Sequence, residues 1–327
     1  MATIIRWRPP PVPADPKQHA QAVAEAVATA WHGQYGSSLN EVAISVVAAL
    51  AVAGQHGPPD PDMPELVANL DRARFAELVK RIWLEWSIVR PDLVPRARML
   101  WTCLDGNLDD ALLRAVHSVG QAALRRGVWQ LGAEQNRRHE VDLLGTVLQA
   151  VTSAKAKQAR GQFLTPECVT ELMGRMVEPP PGRSVMDPAA GTGRMLLGAA
   201  RAMREQGLDP ADAEWWANDI DPLAAALCAV NTDMWDLGFR VVVGCGDGLL
   251  TAWTGEALRQ RQAAIDELLG YVEVARKEAA SRHVLNLPAP KDPLMQHLRA
   301  ARPAPPRQAP PHSSTFDAAS AYQGRLF

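Results

Sequence analysis

The segment Asp187-Pro188-Ala189-Ala190-Gly191-Thr192-Gly193 sets an acid and two glycines between a short apolar run, Ser184-Val185-Met186, and a helical pattern that begins at Arg194. Glycines at 191 and 193 let the backbone turn sharply and approach a ligand closely, and free N–H groups at a helix start suit an anionic group. A second acid closes the next apolar run. In Asn218-Asp219-Ile220-Asp221-Pro222, Asp219 stands where a carboxylate accepts hydrogen bonds from a ribose diol. A dinucleotide site wants Gly-x-Gly-x-x-Gly, and Arg194 to Leu197 supply no third glycine. Read singly, Asp187 and Asp219 are also ordinary turn or helix caps, and Asp247, between Gly246 and Gly248, is an ordinary turn residue.

The elements that must position these residues are legible in the periodicity. Ser184–Met186, a helix from Arg194, Glu214–Ala217, a helix from Pro222 and Phe239–Val243 alternate strand and helix, the mark of a parallel sheet of α/β type. Everything before about residue 160 reads as helix. Ala20, Val23, Val27 and Trp31 repeat at helical spacing; Val42–Ala53 is a second helix ended by Gly54 and by Gly57-Pro58-Pro59. Leu66, Leu70, Leu78, Ile82 and Trp86 mark a third helix, closed by Pro91, and two more run over Leu108–Leu124 and Val141–Lys157. Trp31, Trp83, Trp86, Trp101 and Trp129 read as packing residues within this helical part. Beyond the third strand, Leu258, Ile265, Leu268, Val272, Ala275 and Ala279 fall on an a/d spacing, which predicts a helix with a narrow apolar seam. That seam is a candidate cover for the sheet or a surface for helix-mediated oligomerisation. The chain from Pro288 onward is Pro- and Ala-rich and predicts a flexible tail. The organisation expected is therefore a helical domain over 1–140, an α/β domain over 141–252, the seamed helix over 253–287 and the tail over 288–327.

With Gly161-Gln162-Phe163-Leu164-Thr165-Pro166 ahead of it, the Asp-Pro-Ala-x-Gly-Thr-Gly segment resembles the cofactor site of adenine-specific (N6) DNA methylases, in particular the modification subunits of type I restriction systems. The Asn-Asp-Ile-Asp-Pro segment resembles that family's second motif, and Gly246-Asp247-Gly248-Leu249-Leu250 its third. The resemblance covers about Asp142 to Leu250. It implies a Rossmann-like, S-adenosyl-L-methionine-dependent methyltransferase domain. Gln162, Phe163, Leu164, Thr165 and Pro166 would close over the cofactor; Asp187, Pro188, Ala189, Gly191, Thr192 and Gly193 would form its loop. Asp219 and Ile220 would meet the ribose side, and Asp247 would face the adenine. Two positions depart from the pattern: Ala190 stands where cysteine is common, and Arg194 where a second glycine is common. An arginine there would crowd the methionine moiety or pair with its carboxylate.

The family's acceptor turn, Asn/Asp/Ser-Pro-Pro-Tyr/Phe, accepts hydrogen bonds from the amine of a flipped adenine and stacks on its ring. No Pro-Pro pair of this sequence has both neighbours, and the seamed helix occupies the place where the turn would follow. The methyltransferase domain is accordingly expected to be truncated, with catalytic residues unassigned.

Bulk composition bounds the partners. The chain of 327 residues is 47% hydrophobic, with 34 basic and 36 acidic side chains and a net charge of −2. A protein that grips DNA unaided usually carries a basic excess. DNA is therefore expected to be reached through a partner specificity or catalytic subunit. Four cysteines, Cys103, Cys168, Cys228 and Cys245, show neither paired nor metal-ligand spacing; a reducing cytoplasmic setting and no metal are expected. No apolar run is long enough to span a bilayer. The leading reading is a partner-dependent component of a DNA adenine-N6 modification system. The alternative is a non-catalytic, degenerate methylase that binds the cofactor or holds a place in a modification assembly. A small-molecule methyltransferase is disfavoured by the Gly-Gln-Phe-x-Thr-Pro segment. Since the amine of adenine is a poor nucleophile without an acceptor turn, the purified chain is expected to transfer no labelled methyl groups to unmethylated genomic DNA. Transfer only on adding the products of neighbouring genes supports the partner-dependent reading, and transfer in neither supports the degenerate one. Robust adenine methylation by the chain alone would overturn the reasoning from the missing turn.

Overall fold

The computed structural model describes residues 11–36, 38–57, 62–106, 108–152, 184–250 and 252–284, with 169–170, 172–173 and 176 between them. The expected Gln162–Pro166 closure and the tail from Pro288 lie outside the described residues.

Helices come first. α1 (Pro16–Gln34) starts at Asp15, whose carboxylate accepts from the Lys17 N–H, with proline at the first helical position. Its apolar stripe, Ala20, Val23, Val27 and Trp31, is buried. α2 (Asn40–His56) is buried nearly all round, the signature of a central helix. It runs through Gly54 rather than stopping there. A side chain at Gly54 would meet the Trp129 carbonyl oxygen at 2.3 Å, so this glycine permits close approach of α2 to a following helix. The third predicted helix is two, α3 (Met63–Ala68) and α4 (Arg72–Val89). Asp71 splits them by capping the Arg74 N–H at 2.9 Å. Short helices α5 (Val94–Ala97) and α6 (Met99–Thr102) follow, then α7 (Asp110–Arg125), α8 (Val128–Ala133), α9 (Gln135–Arg138) and α10 (Leu143–Val151). Trp31, Trp83 and Trp86 are buried; Trp83 packs edge-on against Trp86 and donates its indole N–H to Ser45 Oγ on α2 at 3.0 Å.

The second half is a three-stranded parallel sheet in the order β1 (Ser184–Asp187), β2 (Glu214–Asp219), β3 (Val241–Cys245), joined by α11 (Arg194–Glu205) and α12 (Pro222–Met234). Strand periodicity divides the sheet's faces. Trp215, Ala217, Val241 and Val243 join the main core, while Trp216 and Val242 pack with Trp253 and Ala257. Those last two open α13 (Ala252–Val284). The helix therefore covers the sheet by its first turns, ahead of the predicted seam. Leu258 is exposed, as are the neighbouring Leu269, Tyr271 and Val274. β3 starts two residues later than predicted, because Phe239 is exposed, with the Arg90 guanidinium 5.0 Å from its ring centroid.

The helical and sheet-bearing parts share one continuous apolar core. Acids at the end of α12 fasten them together. The buried Asp233 carboxylate accepts from Trp86 Nε1 at 2.7 Å, His56 Nε2 at 2.8 Å and Arg90 Nη1 at 2.8 Å. Asp236 accepts from Arg138 Nη2 at 2.6 Å and His139 Nε2 at 2.8 Å. Burial opposes ionisation of Asp236, but His139 and Arg138 outweigh it and hold the carboxyl at about 2. Asp233 is likewise held low by His56 and Arg90 against the effect of burial. A depressed folded-state value stabilises the protein fully above the unfolded value of 3.8, and the benefit drains away as pH falls towards 2. Asp236→Asn should therefore flatten the loss of stability between these pH values in denaturant titrations. With the side chain 36% exposed, the discounted effect is about 1 kcal/mol. An unchanged acid slope would show that Asp236 contributes nothing to the junction.

Candidate cofactor site

Of the residues singled out in the sequence, Asp187 to Gly193, Asp219, Ile220 and Asp247 lie at the carboxyl ends of the three strands, where open parallel sheets bind ligands. The glycine loop follows β1. Gly191 and Gly193 have φ of +55° and +94°, backbone conformations that favour glycine. They differ in surroundings. A Cβ at Gly191 would meet open space, whereas one at Gly193 would lie 3.0 Å from the Trp235 ring and 3.1 Å from Cys228 Sγ. The loop thus presents its Gly191 side outward and packs its Gly193 side against α12.

Asp219, at the end of β2, clasps this loop. One carboxylate oxygen accepts the Gly191 N–H at 2.7 Å, and the other accepts the Asp221 N–H at 2.9 Å. A carboxylate has about four lone-pair sites, so each oxygen retains acceptor capacity. Asp187 accepts the Ala189 N–H at 3.1 Å. Burial pushes the Asp187 carboxyl above its ordinary value, the Ala189 N–H opposes this, and the Asp219 charge adds to the rise. Asp247 is exposed and accepts the Leu249 N–H at 2.9 Å. Ile220 and Leu249, 75% and 93% exposed, are apolar side chains left open around these acids. Pro188 and Ala189 are exposed at the β1 end of the same loop.

Residues behind the loop were not anticipated as part of the site. Asn218 is fully buried and donates to the Pro188 carbonyl at 3.1 Å and the Gly246 carbonyl at 2.9 Å, tying together the turns after β1 and β3. Asp142 caps α10 through the Gly145 N–H at 2.7 Å. The same carboxylate accepts from Thr192 Oγ1 at 2.6 Å, Arg194 Nε at 2.8 Å and Asn231 Nδ2 at 2.8 Å. Thr192 is therefore turned inward, and its hydroxyl positions the loop from behind. Arg194 pairs with Asp142, a partner neither sequence-based option for it included. A capping signal was present in Asp142-Leu143-Leu144, but the long-range partners of a cap leave no mark in local sequence. Two cavities lie away from the open Gly191 face: about 850 Å³ between α1 and α7, and about 190 Å³ beside Asp142, Thr170 and Arg194. Among the described residues, no group of three or more His, Cys, Asp or Glu is placed to hold a metal ion, and no helix is long and apolar enough to cross a membrane.

Residues 140–264 match the N-6 DNA Methylase family model. The matched segment begins just ahead of Asp142 and contains all three strands. Over 159 residues the chain is 26% identical to the type I restriction enzyme EcoEI methylase subunit of Escherichia coli. That match covers 42% of this chain and 32% of the relative, so the chain spans about a third of the curated relative's length. A solved structure, the type I restriction-modification system methyltransferase subunit from Streptococcus thermophilus, aligns with 72% of this chain and 59% of that one, at 16% identity and a TM-score of 0.38. The N-6 DNA Methylase family model matches the region where the strand ends, glycine loop and acids come together.

Within the matched segment, Asp142 is the residue whose loss should propagate furthest. Asp142→Ala strips a buried carboxylate from Arg194, Thr192 and Asn231 and uncaps α10. Breaking such a buried pair costs about 3–5 kcal/mol. Urea denaturation should report a loss in that range, and Asp142→Asn should recover part of it. A loss below about 1 kcal/mol, the scale of an exposed ion pair, would show that the network is not a structural support.

Proposed function

We propose that the N-6 DNA methylase segment binds S-adenosyl-L-methionine, and that the chain is the methyl-donor component of a DNA adenine-N6 modification system whose target recognition and acceptor turn come from a partner. The three strands are read as the first half of a Rossmann-like sheet, with the helices over 1–140 as a supporting domain. The observation that carries the proposal is the Asp219 carboxylate. It is fixed by the Gly191 and Asp221 N–H groups and keeps acceptor capacity at the outer side of the glycine loop.

The residues present fit the cofactor by their chemistry. Gly191 leaves open space for close backbone approach, Asp219 can accept from both hydroxyls of a ribose, and the exposed Asp247, one oxygen of which holds the Leu249 N–H, keeps acceptor capacity for an exocyclic amine. Ile220 and Leu249 offer apolar surface for the faces of an adenine ring. Asp187 and Asp219 together make the strand ends negative, which favours a cation there. When bound, the cofactor supplies an electrophilic methyl group on a positively charged sulfur. The protein's part is to hold that group in one orientation, since alignment of reacting atoms lowers the barrier. The alternative, a degenerate methylase that binds the cofactor without transferring its methyl group, rests on the missing Asn/Asp-Pro-Pro-aromatic turn.

Titration calorimetry with S-adenosyl-L-methionine should show binding that weakens about tenfold or more in Asp219→Ala, the loss expected for charge-assisted hydrogen bonds worth ~1.5–3 kcal/mol. Asp219→Asn keeps an acceptor oxygen and should weaken binding less. Affinity should also fall on acidification, starting above the ordinary carboxylate range because the Asp187 carboxyl takes up its proton early. No heat of binding with well-folded protein would remove the proposal.

A further inference from the structure

The net charge of −2 hides a local asymmetry. The 850 Å³ groove between α1 and α7 is lined by Arg72, Arg114, Arg125, Arg126 and His117, with Glu25 as its acid. Arg125 and Arg126 are exposed and have no acidic partner among the described residues. Arg72 and Arg114 share one acid, Asp110, at the start of α7. The floor on the α1 side is small: Ala22, Ala26 and Ala30 let a ligand lie against the helix. From Ala22 to Gln34 the groove follows α1 for about 18 Å, the rise of some five base pairs of duplex.

One end of this groove adjoins the smaller cavity beside Asp142 and Arg194. Glu25 accepts from Gln21 at 2.8 Å, and Gln21 lines the smaller cavity that also holds Lys17, Arg194 and Arg201. The surface is therefore continuous from the arginine groove to the residue that pairs with Asp142. A row of guanidinium groups spaced along an open, shallow channel matches a ligand with repeated negative charge better than a compact anion. We propose that the α1–α7 groove binds the phosphodiester backbone of duplex DNA. The choice of DNA among polyanions rests on the methylase reading above. Contacts of this kind position without reading sequence, so specificity remains with a partner.

The test is fluorescence anisotropy of the full chain with a labelled duplex over a range of salt concentrations. Neutralising four phosphates predicts a slope of log K on log salt of about −3.6, and Arg125→Gln with Arg126→Gln should bring it to about −1.8. Glu25→Gln should tighten binding, since it removes the acid of the groove. S-adenosyl-L-methionine binding measured by calorimetry should be unchanged in all of these variants. That readout separates the two proposals: loss of cofactor binding with an intact salt response would fail the donor reading and leave the groove standing. An unaltered slope in the double variant would overturn the groove. So would competition by inorganic phosphate at equal charge concentration, which would make this a small-anion site, or equally tight binding of an acidic polypeptide.

Discussion

One buried carboxylate sets the geometry on which the rest of the site depends. Asp142 lies where α10 begins, and all four of its acceptor positions are used: by the α10 backbone, by Thr192 and Arg194 of the glycine loop, and by Asn231 of α12. A carboxylate removed from water is costly unless each lone pair finds a donor. The chain meets that requirement with donors from three separate elements, so the buried acid ties those elements together. Asn231 closes the circuit by also donating to the Thr192 carbonyl at 2.8 Å. The glycine loop is thus shaped from behind through Thr192, while Asp219 fixes its open side at Gly191.

The same logic governs the junction between the helical and sheet-bearing parts. α12 lies between them, with the sheet on one side and α2, α5 and α10 on the other. Its apolar length supplies the area, and its last turn supplies Asp233 and the adjoining Asp236 as charged anchors. Arg90, itself buried, stays charged because Asp92 and Asp233 outweigh the effect of burial. Apolar packing alone would allow α12 to slide or rotate; carboxylates with directional partners fix one register. The position of the glycine loop against the N-terminal helices follows from that register, because Trp235, just past α12, both packs on Gly193 and donates to the Val141 carbonyl at 3.0 Å.

How much of this was legible in the sequence follows from the range of the forces involved. The strand–helix alternation, the two glycines and the acids at strand ends were readable because each depends on residues nearby in the chain. Asp219 was correctly placed at the end of β2, although its clasp on Gly191 could not be read from spacing. The errors also have local causes. Gly54 reads as a helix stop only while the Trp129 carbonyl packed against it is unknown, and the Asp71 cap is hidden inside an apolar pattern that continues across it. Arg194 shows the limit best. Its type at a helix start suggested contact with an anionic ligand; the anion it finds is Asp142, far away in sequence and adjacent in space.

That substitution of a positive side chain into a glycine-rich turn bears on how the loop can work. An arginine held by a ligand would be mobile until the ligand arrived, and its ordering would be charged against binding. Here the guanidinium is already committed: it neutralises Asp142 and is held on the side of the loop away from Gly191. The open face keeps a negative bias from Asp187 and Asp219, while the positive charge sits behind, lining the small cavity beside Asp142. Opposite charges are therefore sorted onto opposite sides of one turn. A cationic donor at the front and a polyanion approaching from the helical side would each meet complementary charge, and the ion pair between Arg194 and Asp142 is the partition that keeps those two fields apart.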